Sequence, residues 1–450
     1  MTRSSFTSWL WPIVFFELYL AGVALLFFYG PWPWIIRDRY ALMGYLIAAS
    51  AAIAVGYGFS WPQVRSTAVT AQVQRTARGL CWLKWAAIVS LVLAIPTSLA
   101  RTGQLLPDVW SGLTDTGRVY LDSLNRLSNG NPYVVFEYLR FLASPLLVAL
   151  LPLTIVFWRR AGWALRCASA GAILFYLAIF LARGQNKGVA DTLALVPFFA
   201  FVARPAHVSR LSIRDALSIS AGFVVAMLAV LVFFGRTQVM RVGGATAQGY
   251  HFGYLHLSPD SEHWLSAHLP EVARLTFESL ARYLGQGYQA VALTFYMPHE
   301  STWGAGGSMF LARNADKLMH TDFFTSASLP ALLEQNWGWP MYGLWHSIYP
   351  WVASDVGYIG ALGVIAGFGY LLGLSWGKSL RTSDPLWLGL LALMLILFFY
   401  IPANNQVFQS GETTAAFLLL LAAISLRGAW QMAQRSQHPA LREGTSQHPA

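Results

Sequence analysis

Six basic residues stand in pairs at short spacing beside strongly apolar stretches: Arg183 and Lys187, Arg236 and Arg241, Arg274 and Arg282. An arginine presents a planar fork of donors that matches phosphate oxygens, and a lysine adds a mobile point charge. Without a matching local supply of carboxylates, this set predicts a site for a ligand carrying several negative charges, such as a diphosphate. The first pair lies in LARGQNKGVAD at 181–191, where Asp191 follows Lys187 by one helical turn. A local Lys187–Asp191 ion pair, with both side chains reaching out of the lipid, is the competing account of that segment. Proton-transfer candidates lie further on. WHSIYPWVASDVGYIGALG at 345–363 offers His346 and Asp355, and His299 with Glu300 precedes the glycine turn WGAGGSMF at 303–310. Either residue type accepts a proton near neutral pH and suits the activation of a sugar hydroxyl. N-capping of the following helix explains Asp355 as well. Trp303, Trp337, Trp339 and Trp345 present indole faces on which the apolar C–H face of a pyranose stacks, or they form an aromatic belt at a membrane surface. No HExxH, DxD or clustered Cys/His is present, so no metal site is expected, and Cys81 and Cys167 lack ligand spacing.

The elements that must position these groups follow from composition. Charged residues make up 11% of 450, hydrophobic residues 56%, and the mean hydropathy is +0.48. An ordinary soluble domain carries about 25% charge, and disorder or a disulfide scaffold is excluded by the low charge and the two cysteines. The chain is therefore expected to be an all-α polytopic membrane protein. A span needs about 20 apolar residues, which predicts about ten transmembrane helices, near 9–29, 40–58, 81–100, 141–158, 164–182, 188–203, 216–234, 357–376, 385–402 and 413–427. Alternate loops carry Arg65, Arg75 and Arg78; Arg159, Arg160 and Arg166; Arg204, Arg210 and Arg214; Lys378 and Arg381; then Arg427, Arg435 and Arg442. By the positive-inside rule that side is cytoplasmic, with both termini on it. The net charge of +10 is thus a topology signal, not a nucleic-acid footprint.

Four regions result: 1–234 with seven spans and an outer loop at 101–140, a large outer loop at 235–356, three spans over 357–427, and a disordered cytoplasmic tail at 428–450 that repeats SQHPA. Loops of such length usually carry function. Within the large loop, 262–285 has helical apolar spacing and is expected to lie flat as an interfacial helix, with a re-entrant hairpin as the second possibility. Glu17 stands inside the first span, where a structural hydrogen bond and proton coupling are both open.

On these residues the chain resembles the Wzy-type oligosaccharide repeat-unit polymerases of the O-antigen polymerase and ligase superfamily. The likeness rests on the number of spans, the basic outer turn ARGQNKG, the large late outer loop with YLGQGYQA, and the approach WHSIYPWVASDVGYIGA to the next span. The resemblance implies a metal-independent glycosyltransferase of the GT-C type, without a cofactor, at the periplasmic face of a bacterial inner membrane. Donor and acceptor would be undecaprenyl-diphosphate-linked oligosaccharides, and the lipid diphosphate would be the leaving group. It implies a chain-length-regulating co-polymerase and a flippase as partners, and no nucleic acid. Arg183, Lys187, Arg236, Arg241, Arg274 and Arg282 would then hold the diphosphate, while Asp355, His346, His299 or Glu300 would activate the acceptor. An O-antigen ligase with a lipid A-core acceptor and a lipid-oligosaccharide flippase are the rival readings. The near absence of mid-span ionisable residues other than Glu17 disfavours the flippase.

Overall fold

The computed structural model describes residues 4–67, 72–128, 133–204, 255 and 257–437. Among them the chain is helical and forms no strand, as its composition predicts. The main helices are α1 (Ser4–Tyr29), α2 (Arg39–Phe59), α3 (Gln72–Thr102), α4 (Val134–Phe157), α5 (Trp163–Ala182), α6 (Lys187–Val202), α7 (Glu271–Thr294), α8 (Met309–Met319), α9 (Ile348–Thr382), α10 (Pro385–Tyr400) and α11 (Gly411–Gln437). Seven described helices are long and apolar enough to cross a membrane: α1 to α5, α9 and α11. Two more expected spans fall on the 16-residue helices α6 and α10. The expected span at 216–234, together with Arg236 and Arg241, lies outside the described residues, as do residues 438–450 of the expected tail.

Local signals explain the helix starts. The Asp38 carboxylate accepts from the Ala41 amide at 2.9 Å to cap α2, and Asp384 accepts from the Leu386 amide at 3.1 Å to cap α10, with proline at the first helical position. Helix α10 is apolar on every side and buried along most of its length, the pattern of a central helix. It is enclosed by α4, α6, α9 and α11. Helices α2 and α9 approach through small residues, with Gly56 against the Ala366 backbone and Gly369 against that of Ile53. A Cβ at Gly56 would stand 1.8 Å from the Ala366 carbonyl, so this crossing requires glycine.

The basic loops meet at one end of the bundle. Asp384 is bridged by Arg427 at 2.7 Å and by Arg78 at 3.3 Å. Arg381 donates to the Arg65 carbonyl, and Arg75 to the Arg381 carbonyl. The described loops that carry Arg65, Arg75 and Arg78, Arg381, and Arg427 therefore share one end.

The segment expected to lie flat over 262–285 behaves differently. A short helical turn at Trp264–Ala267 is followed by α7, which runs through the QGYQAVALT stretch. Residues 285–292 are buried, in a helix packed against α1 and α9. Gly285 abuts the Trp34 ring and Gln289 donates to the Ile35 carbonyl at 2.9 Å. Of the apolar residues that suggested an interfacial face, Leu275 is buried in protein contacts while Leu269 stays exposed.

Candidate functional site

Opposite the basic end, the last residues of α3 and α5 and the first residues of α4, α6 and α11 surround a cavity of about 700 Å³, with α8 at its mouth. Its lining carries six cations: Arg101, Arg140, Arg183, Lys187, Arg313 and Lys317. Three carboxylates face them, Glu137, Asp191 and Glu412, leaving a formal excess of three positive charges. The wall continues along Leu147 and Leu151 of α4, Ile173 of α5 and Leu393 and Ile396 of α10. Arg140 and Leu151 both line it and are eleven residues apart on one helix, which is roughly 16 Å at 1.5 Å per residue. The cavity is thus charged at one end and apolar along a path of about a half-bilayer's depth.

The charges are ordered. Arg101 forms a two-point pair with Glu137, Nε to Oε1 and Nη2 to Oε2, each at 2.9 Å, and reaches Glu412 Oε2 at 3.1 Å. Arg140 donates to the same Glu412 oxygen at 2.6 and 3.1 Å and to Thr97 Oγ1 at 3.0 Å. Arg140 is 4% exposed, so its pairing is what permits its burial. Lys187 pairs with Asp191, whose other oxygen accepts from Tyr400 Oη at 3.0 Å. Arg183, at the C-cap of α5, differs from these: no carboxylate pairs with it among the described residues, and its Nε is buried without a hydrogen-bond partner. Burial foremost, and the neighbouring Arg101 charge, pull its guanidinium down from 12.5 to about 10. It is a cation held in poor solvation, which is the condition for strong attraction to an anion.

Of the expected diphosphate ligands, Arg183 and Lys187 reach the cavity. Lys187 pairs with Asp191 and also lines the wall. Arg274 and Arg282 sit on α7 and do not line it; Arg274 lies within electrostatic range of Glu278 one turn on.

The expected acid–base residues are elsewhere. Asp355 is neither a cap nor a free base. It lies inside α9 and accepts from Thr302 N and Oγ1 (both 2.7 Å), Gly304 N (3.1 Å) and Gly307 N (2.9 Å), so it is the anchor of the glycine turn. His346 is fully buried, its Nδ1 contacts the Leu344 carbonyl at 2.9 Å, and burial lowers it to about 3, so the ring stays neutral and out of reach. His299 and Glu300 are exposed outside the cavity, and the His299 ring covers Gly357. That glycine has φ +67 and marks the kink where two helical stretches join within α9, and the expected span at 357–376 falls on the stretch beyond it.

The tryptophans divide in the same way. Trp339 is fully buried and donates to the Trp345 carbonyl at 3.2 Å, so no sugar reaches its face. Trp345 is half-buried, edge-on to Tyr283. Trp303 at 84% and Trp337 at 43% remain exposed. Arg101, Glu137, Arg140 and Glu412 were not singled out from sequence. Their signal was present: ionisable residues flank the same ends of spans 81–100, 141–158 and 413–427. Among the described residues no three His, Cys, Asp or Glu gather as a metal-holding group. Compared with family models, curated proteins and solved structures, the chain matches none.

Proposed function

We propose that this chain is a glycosyltransferase that polymerises undecaprenyl-diphosphate-linked oligosaccharide repeat units at the periplasmic face of a bacterial inner membrane. The observation that carries this reading is the cavity itself, with Arg183 in a net-positive head and ion-paired with no described carboxylate, and an apolar wall leading away from it. An amphiphile with a multiply charged head and a long hydrocarbon tail has this pattern of chemistry. The prenyl chain lies along Leu147, Leu151 and Leu393, and the diphosphate meets Arg183. When the glycosyl–oxygen bond breaks, negative charge grows on the departing diphosphate, and a fixed guanidinium in a water-poor site stabilises that charge without reorganising. The Arg101–Glu137–Glu412–Arg140 network fixes the surrounding helix ends, so the head of the cavity is preorganised. Orientation follows from the basic loops, which share the end opposite the cavity.

The test is deletion of the gene followed by gel analysis of surface polysaccharide, with complementation by wild type and by Arg183→Ala. A ladder that collapses to a single repeat unit, restored by wild type and not by the variant, supports the reading. Intact polymer that fails to reach lipid A-core makes the chain a ligase. An unchanged ladder in the deletion strain overturns the proposal.

A further inference from the structure

We propose that Asp191 is the residue that takes the proton from the acceptor hydroxyl, with Tyr400 and Lys187 as its positioning residues. This rests on the glycosyl-transfer reading above. Three carboxylates line the cavity, and two are held by guanidinium groups: Glu137 by the two-point contact of Arg101, and Glu412, through Oε2, by both Arg101 and Arg140. A carboxylate clamped by guanidinium groups is a poor proton acceptor, because protonation would break the clamp. Asp191 has one hydrogen bond from Tyr400 Oη and one pairing with Lys187, so each oxygen keeps a lone pair for another donor. Its side chain is 14% exposed, at the cavity wall.

The surroundings are accounted for on every packed element. Lys187 faces Asp191 from its own helix, and Tyr400 comes from α10, with Lys187 also 5.6 Å from the centre of the Tyr400 ring. Tyr176 of α5 lies within electrostatic range of Asp191, Glu412, Arg101 and Arg140, and Tyr283 of α7 within range of Tyr400. Tyr176 also acts on Arg183, so the diphosphate-facing cation and the carboxylate border one stretch of wall.

The step balances within the site. The acceptor oxygen bonds to the donor's anomeric carbon as the anomeric C–O bond to diphosphate breaks. That bond's electron pair stays on the diphosphate oxygen, facing Arg183. The acceptor's proton moves to an Asp191 oxygen and later to water. Once Asp191 is protonated, Lys187 no longer has a charged partner, and its ammonium adds to Arg183 as negative charge grows on the leaving group. Proton removal and leaving-group stabilisation are thereby coupled through one ion pair.

The test uses the full chain in lipid nanodiscs, lipid-linked repeat units extracted from the deletion strain as substrate, and geranylgeranyl diphosphate as the binding probe. Asp191→Asn is expected to lower transfer by about 10²–10⁴-fold, leave probe affinity within about threefold, and abolish the acid limb of the kcat/KM profile. Asp191→Glu should restore part of the rate and the limb. Tyr400→Phe, a milder change, should lower the rate about tenfold, the loss of one supporting hydrogen bond, and move the acid limb. Transfer at the wild-type rate with an unmoved limb in either variant overturns the inference. So does an Asp191→Asn protein whose probe affinity falls as far as its rate. Failure of the wild-type protein to bind the probe would instead sink the lipid-diphosphate reading.

Discussion

Replacing Arg183 by glutamine separates a ligand-binding role from a structural one, because the two predict opposite signs of stability. Burial holds the guanidinium at about 10 against 12.5 in water. At 1.36 kcal/mol for each tenfold change, the empty cavity carries this charge at a cost of about 3 kcal/mol. No carboxylate forms an ion pair with it among the described residues, and the nearby Glu137 charge offsets only part of the burial. The arginine stem packs against its neighbours, and shortening it forfeits about 1 kcal/mol. Arg183→Gln should therefore stabilise the ligand-free protein by about 1–2 kcal/mol, a rise of a few degrees in thermal midpoint. With ligand the sign reverses. Two charge-assisted hydrogen bonds to a diphosphate contribute about 3–5 kcal/mol, so affinity should drop by about 10²–10⁴. Thermal unfolding in nanodiscs, with and without geranylgeranyl diphosphate, reads both effects, because bound ligand raises the wild-type midpoint by mass action. A variant less stable than wild type without ligand, yet shifted equally by the probe, would show that Arg183 is a structural cation and would refute the reasoning.

Glu412→Gln takes from buried Arg140 the carboxylate it donates to, while Arg101 keeps Glu137, and should cost about 3–5 kcal/mol of stability; adding Arg140→Gln should recover part of it, and simple additivity in denaturant titrations would argue against the network. Asp355→Asn removes the charge and one of the two acceptor oxygens that serve four donors at the glycine turn and should cost about 2–3 kcal/mol. Transfer per folded molecule should stay near wild type, and a fall of two orders of magnitude, roughly what loss of a general base produces, would return Asp355 to the catalytic role. His346 binds a proton at 6.5 when unfolded but at about 3 when folded, so the unfolded chain holds more protons between those values and stability falls as pH drops below 6.5. Between pH 7.5 and 4.5 this costs about 3 kcal/mol, and His346→Leu should flatten that part of the stability–pH curve. For orientation, Cys81 and Cys167 are exposed and are first replaced by alanine; an impermeant maleimide should then label Gln104→Cys in intact spheroplasts, and Ser66→Cys only after permeabilisation.

Nine of the ten expected spans coincide with helices because each is a local property, a run of apolar residues that must satisfy its own backbone in lipid. The sharing of one end by Arg65, Arg75, Arg78, Arg381 and Arg427 was legible for a similar reason, since charge bias acts loop by loop. The site was legible only at Arg183 and Lys187, where the cations crowd a short turn. Arg101, Arg140 and Glu412 each stand at the edge of a span, where a charge reaching toward water explains one residue as well as a cluster does. They become a network because α3, α4 and α11 end beside one another, which no single segment encodes. Asp355 failed in the opposite direction. Its type and place suggested a base, but its donors come from residues 302–307, far along the chain. A carboxylate's capacity to take a proton depends on which of its lone pairs are already occupied. Asp191, met in the sequence only as the partner of a lysine, has one donor on each oxygen at the cavity wall, whereas Asp355 lies away from the cavity with three of its four donors on one oxygen.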